Sequence, residues 1–302
     1  MTSPAHRVTY LINAYKQPGL LLRLIDRLTT PAASFVVHVD RKSGGFDEVL
    51  AELSGREAVT LLPRRPIYWG GSQLVGVFVR GLREVGRTQP DVGHVVYLTA
   101  SDYPLWPSAR IESYLAAHPG TSFVNHLPMA QTTWLEGGRT RYERFHHAGR
   151  FGRVEWPGPP PGNRRALRPL WAVTGRFARP RRFPTGLSPY GGSGVWALSG
   201  AAVRHVVSFC EQRPDVLRFF RWVLVPDEIF VQSVMMSGAQ ADSVVDSDLH
   251  HTRWEPMTAH PVVFTEADLD ELLASGQPFV RKVDEVVSAG LLDALDEQAG
   301  GA

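Results

Sequence analysis

The first half of the chain alternates two apolar rhythms. Arg7 to Tyr15, Ser34 to Asp40, Ala58 to Leu62, His94 to Thr99 and Ser122 to Asn125 are apolar blocks of strand length. Between them, Leu20 to Leu28, Phe46 to Leu53, Ser72 to about Arg87 and Ser108 to about His118 carry apolar residues at helical spacing, with Ser72 and Ser108 placed as caps. Strands alternating with helices predict an α/β fold: a mostly parallel, twisted sheet with helices on both faces. Such sheets bind ligands beyond the carboxyl ends of their strands, so the residues just after each strand are the informative ones.

From Met129 to Tyr190 the rhythm is lost. This segment is rich in Arg, Pro and Gly and includes Pro157-Gly158-Pro159-Pro160-Pro161-Gly162. A stretch of that length inside a compact domain is either a functional loop or a home for small elements that periodicity does not reveal. Regularity returns with a strand at Val195 to Ser199 and helices at Ala201 to Cys210, Val216 to Val223 and Asp227 to Met236. A short strand at Ser243 to Asp246 and a Thr265-capped helix at Glu266 to Ala274 follow. No repeat or linker divides the chain, so residues 1–302 are expected to form one domain with 129–190 as an irregular insertion.

Composition narrows the class. The 302 residues are 43% hydrophobic and 21% charged, a globular balance that buries a sizeable core. No apolar run approaches the ~18–20 residues of a membrane span. The opening MTSPAHRVTYLINAY lacks the layout of a signal peptide, so a cytoplasmic protein is expected. A net charge of +2 does not suggest a nucleic-acid binder. The positive charge is uneven, however. Twelve arginines and only two acids, Glu143 and Glu155, stand between Arg139 and Arg182, which suits an anionic partner or a solvated loop. The one cysteine, Cys210, sits on a helix pattern as a core residue and leaves no intrachain disulfide or cysteine-cluster zinc site.

The strand ends carry the chemistry. His38-Val39-Asp40-Arg41-Lys42 closes the second strand, where Asp40 is placed to accept hydrogen bonds from a ribose or base, or to cap the turn. The fourth strand runs into Thr99-Ala100-Ser101-Asp102-Tyr103-Pro104. A metal-dependent nucleotide-sugar enzyme needs two carboxylates one residue apart there, to hold Mg²⁺ or Mn²⁺ against a diphosphate. Asp102 stands alone; Asp246 and Asp248 have that spacing, but late in the chain. Without a metal, a diphosphate needs cationic side chains. Lys282, in Phe279-Val280-Arg281-Lys282-Val283-Asp284, suits that task in a chain whose only other lysines are Lys16 and Lys42. Val225-Pro226-Asp227-Glu228 opens a helix, where a first-turn acid ordinarily answers the helix dipole. The adjacent pairs His146-His147 and His250-His251 share no helix face and do not resemble a metal pair.

Eight segments, YLINAY, FVVHVDRKS, IYWGGSQLV, VVYLTASDYPL, YGGSGVWALSG, VPDEIFVQSVM, HTRW and LLASGQPFVRKVDE, follow one another between about Arg7 and Glu285. Together they resemble the Core-2/I-branching enzyme family of glycosyltransferases (GT14-type), whose vertebrate members are β-1,6-N-acetylglucosaminyltransferases. The resemblance implies a GT-A-like fold and an inverting, metal-independent reaction. A sugar, GlcNAc or a related one such as xylose, would pass from a UDP-sugar donor to a hydroxyl of a glycan or small glycoside, with no cofactor. The family's base, the glutamate of its PDE motif, falls on Glu228. Its phosphate-binding lysine falls on Lys282 and its nucleotide-site aspartate on Asp40, with Arg281 and Asp102 assigned to the same nucleotide and diphosphate side. The tryptophan that meets acceptor sugar falls on Trp254, and Arg253, Glu143 and Arg141 are placed with it on the acceptor side.

Two positions depart from the family pattern. Val262 stands where a second diphosphate cation is expected, which leaves Arg281, Arg253 or His260 to supply it; Pro256 stands where an aromatic often follows the tryptophan. Vertebrate members carry a membrane anchor and disulfides, and a chain with neither is expected to be a soluble, bacterial form. Two competing readings are a metal-dependent transferase of another GT-A family, using Asp102 with a second acid, and a non-catalytic carbohydrate-binding protein.

Overall fold

A computed structural model of the chain describes residues 6–157, 179–255, 258 and 260–300. Part of the Arg-rich insertion, residues 158–178, and Pro256 lie outside the described residues. In chain order the first strands are β1 (Val8–Ala14), β2 (Ala33–Val39), β3 (Val59–Leu61), β4 (His94–Thr99), β5 (Asp102–Pro104), β6 (Ser122–Phe123) and β7 (Leu127–Pro128). The hairpin β8 (Phe145–Gly149) and β9 (Gly152–Trp156) follows, then β10 (Tyr190–Gly191), β11 (Trp196–Ser199), β12 (Val244–Val245), β13 (His250–Thr252) and β14 (Phe279–Arg281). The central sheet has the order β12-β6-β11-β4-β1-β2-β3. β11 runs antiparallel to β4 and β6, while the other pairings of the sheet are parallel.

Side chains alternate across the sheet and feed two cores. Tyr10, Ile12 and Ala14 of β1, with Val96 and Leu98 of β4, face helices α1 (Pro18–Leu28) and α2 (Asp47–Ser54). Leu11, Val95 and Tyr97 face α3 (Gln73–Thr88) and the helix Gly200–Gln212 on the other side. Helices therefore cover both faces, as the alternation of patterns predicts. α1 begins at Pro18, whose missing N–H costs nothing in a first turn, and buries Leu20, Leu21, Leu24, Ile25 and Leu28 on one stripe. α3 lies close on β1 because Gly81 has no side chain: a Cβ there would collide with Leu11. Cys210 is buried in the second core.

Several expectations are corrected. Ser72 and Ser108 do not cap their helices. Pro107 precedes α4 (Ser108–Ala117), and the Ser108 hydroxyl instead donates to the Arg27 carbonyl at 2.6 Å. Ser199 is a true cap, accepting from the Ala202 N–H at 3.3 Å. The expected helix Asp227 to Met236 is split into a tight turn, Pro226–Glu228, and a helix, Phe230–Met236. Within 129–190 the described residues form the β8–β9 hairpin, and the short pair β7–β10, Leu127–Pro128 with Tyr190–Gly191, brackets the segment. A second sheet, β13-β14-β5, was not legible as strands. It lays the segment through Arg281 against Asp102.

Candidate active site

Glu228 ends the tight turn that follows Val225. Val225 is β-branched yet left-handed (φ 48°, ψ 56°), a conformation that costs about 1–3 kcal/mol and persists only where neighbours impose it. Here the Val225 N–H donates to Gly70 O at 3.0 Å and the Leu224 N–H to Arg141 O at 2.9 Å. Arg141 then returns through its side chain, which donates to Glu228 Oε2 at 2.7 Å while its guanidinium stacks over the Trp134 ring at 3.6 Å. Among the described residues no donor reaches Glu228 Oε1, and the side chain is 29% exposed. One oxygen is thus anchored and the other is open to a ligand. Opposite, the Gly192 N–H donates to Glu228 O at 3.0 Å. Gly192 is obligatory, because a Cβ there would strike the Asn125 carbonyl.

Asp227 is a second acid in the same turn. Burial pushes its carboxyl well above the ordinary carboxylate range, and the adjacent Glu228 charge adds to the shift. Arg141 and Arg281 oppose it. The folded chain then holds a proton that the unfolded chain releases at lower pH, so this group makes stability fall as pH rises from the carboxylate range toward neutrality. Asp227→Asn removes that loss. The melting temperature of the variant is expected to gain on the parent as pH rises from about 4 to about 7. A constant difference across that series would show that Asp227 titrates normally.

The cationic side of the site is built on β5 and β14, where Arg281 faces Asp102 in register. Asp102 is fully buried. One of its oxygens accepts from Arg281 at 2.6 Å and the other from the Thr99 N–H at 2.7 Å. Arg281 also donates to the Thr99 hydroxyl at 2.8 Å. Lys282 follows. It is half-buried, and its ammonium has no hydrogen-bond or ion-pair partner among the described residues. Burial, then the nearby charges of Lys16 and Arg281, hold it below the usual lysine value. The Tyr97 hydroxyl of β4 is buried without a hydrogen-bond partner among the described residues. It is pushed well above its usual value by burial, and it feels Asp227 on one side and Arg281 and Asp102 on the other. The charges of the acid turn and of the Asp102–Arg281 pair are thus both felt at Tyr97 on β4.

The other expected site residues are placed less centrally. Asp40 is buried at the end of β2 and accepts from the Lys42 N–H at 2.9 Å and the Lys42 ammonium at 2.6 Å, so the turn-capping reading is realised. Glu143 pairs with Arg139 at 2.8 Å, and Arg253 is taken up by Asp268 at 2.8 Å and by Glu271. Trp254 is 56% exposed after β13. No hydrogen bond, ion pair or ring contact joins Glu143, Arg253 or Trp254 to Glu228 among the described residues, whereas Arg141 is brought directly to it. Asp246 accepts from Asn125 and the His126 N–H, each at 3.0 Å, and Asp248 from the His250 N–H at 3.0 Å. They cap different turns. Sequence reasoning did not assign Asp227, Tyr97 or Lys16 to the site. Asp227 was visible in the acid motif and Lys16 as one of three lysines placed just after a strand, whereas Tyr97 carried no signal.

A sheet whose strand ends gather a reachable carboxylate and an uncompensated ammonium has the layout of a GT-A-like glycosyltransferase. The family model described as Core-2/I-Branching enzyme matches residues 8–274, and the chain belongs to that family. Among curated relatives, the Drosophila melanogaster protein "Xylosyltransferase oxt" is 25% identical over 303 residues, covering 91% of this chain and 31% of that protein. Human "Xylosyltransferase 2" is 23% identical over 320 residues, covering 98% of this chain and 34% of its own length. The chain thus spans about a third of the length of the curated relatives it matches. These relatives are animal proteins and lend no support to a bacterial form. Among the described residues no helix is long and apolar enough to cross a membrane.

Proposed function

We propose that the chain catalyses inverting, metal-independent transfer of a sugar from a UDP-sugar to a hydroxyl of a glycan or small glycoside, with Glu228 as general base. The observation that carries this reading is the Glu228–Arg141 pair, in which one carboxylate oxygen is anchored at 2.7 Å and the other is left open. An acceptor hydroxyl is too weak an acid to ionise near neutrality. Glu228 takes its proton as the oxygen bonds to the anomeric carbon, a contribution of about 10²–10⁴-fold. The bond from that carbon to the diphosphate oxygen breaks, and its electron pair leaves with UDP, where Lys282 stabilises the growing charge. Attack from the face opposite UDP inverts the anomeric centre.

Metal independence is supported by the donor set at the end of β4. Both oxygens of Asp102 are engaged, by Arg281 and by the Thr99 N–H, so cations on the chain take the part of a divalent ion. The names of the relatives support xylose as the donor sugar, and the resemblance of the eight sequence segments to the β-1,6-N-acetylglucosaminyltransferases supports GlcNAc. UDP release should be screened with UDP-xylose and UDP-GlcNAc over simple glycosides. Rates are expected to be equal in excess chelator and in added Mn²⁺. A strict Mn²⁺ requirement would overturn metal independence and return attention to Asp102, Asp246 and Asp248. Absence of UDP binding, together with no turnover of either donor, would favour the carbohydrate-binding reading.

A further inference from the structure

We infer that Lys16 is a second phosphate-binding cation, which with Lys282 grips the two phosphoryl groups of the bound nucleotide-sugar; this rests on the nucleotide reading given above. Lys16 lies two residues beyond β1, and Lys282 directly follows β14. The two segments are pinned together at the mouth of the sheet. The Gln17 side chain donates to Asp284 Oδ2, and the Val283 N–H donates to Ser101 O at 2.8 Å. On the other side, the Ser43 hydroxyl donates to Tyr15 O at 2.5 Å and joins the end of β1 to the Asp40 turn.

The charges here do not balance. Arg281 is neutralised by Asp102 at 2.6 Å. Lys16 reaches Asp284 Oδ2 only at 3.4 Å, and its side chain is 34% exposed. That carboxylate is already committed to Gln17 and to the N–H groups of Val286 and Val287, at 3.1 and 3.2 Å. Lys282 has no partner among the described residues, and the Lys16 charge presses on it. Arg281 and Lys16 thus share the two carboxylates Asp102 and Asp284, while the Lys282 ammonium, which feels the Lys16 charge, has no partner among the described residues. Such a cluster is unfavourable when empty and becomes favourable when an anion completes it. A diphosphate fits, because it carries charge on both phosphoryl groups and two point charges on flexible stems reach both. Two other cations considered for this role are paired, Arg253 with Asp268 and Glu271, and Lys42 with Asp40.

Calorimetric titration of UDP and uridine into Lys16→Met, Lys16→Arg and Lys282→Ala tests the assignment. Lys16→Met is expected to weaken UDP about tenfold, as for a lost charge-assisted hydrogen bond, and to leave uridine binding unchanged. Lys16→Arg should retain most of the UDP affinity. The retained uridine affinity also shows that the variant is folded. Unchanged UDP affinity in Lys16→Met, with a loss in Lys282→Ala, would overturn the inference. Equal losses for UDP and uridine would overturn it too, since Lys16 would then be holding the fold. If Lys282→Ala also keeps its UDP affinity, the nucleotide reading of the site fails.

Discussion

Glu228→Gln is expected to lower turnover by about two to four orders of magnitude while leaving folding and UDP affinity intact. The amide has nearly the shape of the carboxylate, and its oxygen can still accept from Arg141, so the pair at 2.7 Å loses charge assistance but not its geometry. What the amide cannot do is take a proton from an acceptor hydroxyl. The expected signature is a fall in kcat and kcat/KM together, with the UDP dissociation constant unchanged, because a base acts only as the transition state forms. Near-normal turnover in this variant would remove Glu228 from the mechanism.

The parallel frame was legible because its strands are long and apolar. β1, β2 and β4 are buried along nearly their whole length, and their blocks stand out from the amphipathic helices between them. β5 and β14 were not legible. Each is three residues long, and each contributes a charged residue, Asp102 or Arg281, whose burial makes sense only once the two strands pair. The acid turn was visible as a motif but read as an unbroken helix start. The left-handed Val225 and the break before Phe230 come from contacts with Gly70 and Arg141, distant in sequence. Arg141 stands 87 residues from Glu228, and nothing local separates it from the other arginines of its segment. Lys282 was singled out because its segment resembles the one that carries the family's phosphate-binding lysine, in a chain with few lysines.

Asp102→Ala is expected to destabilise the fold by about 3 kcal/mol and to weaken UDP binding at the same time. Removing one member of a buried pair strands the other charge, which typically costs about 3–5 kcal/mol. Arg281 retains 28% side-chain exposure, so water recovers part of that loss and the lower end applies. The Thr99 N–H also loses its acceptor, at the point where β4 gives way to the site. Asp102→Asn keeps an oxygen for one of these donors and is expected to cost only about 1 kcal/mol. The functional effect travels by a short path. Arg281 is no longer held against Thr99 and Asp102, and the peptide that carries Lys282 is the next one along. Freed from its counter-ion, Arg281 adds to the positive field around Lys282, but the ammonium loses the register with which it meets a phosphate. Urea unfolding of both variants, beside UDP titration, separates the two effects. If Asp102→Ala and Asp102→Asn both unfold like the parent, the Asp102–Arg281 pair does not organise this end of the sheet.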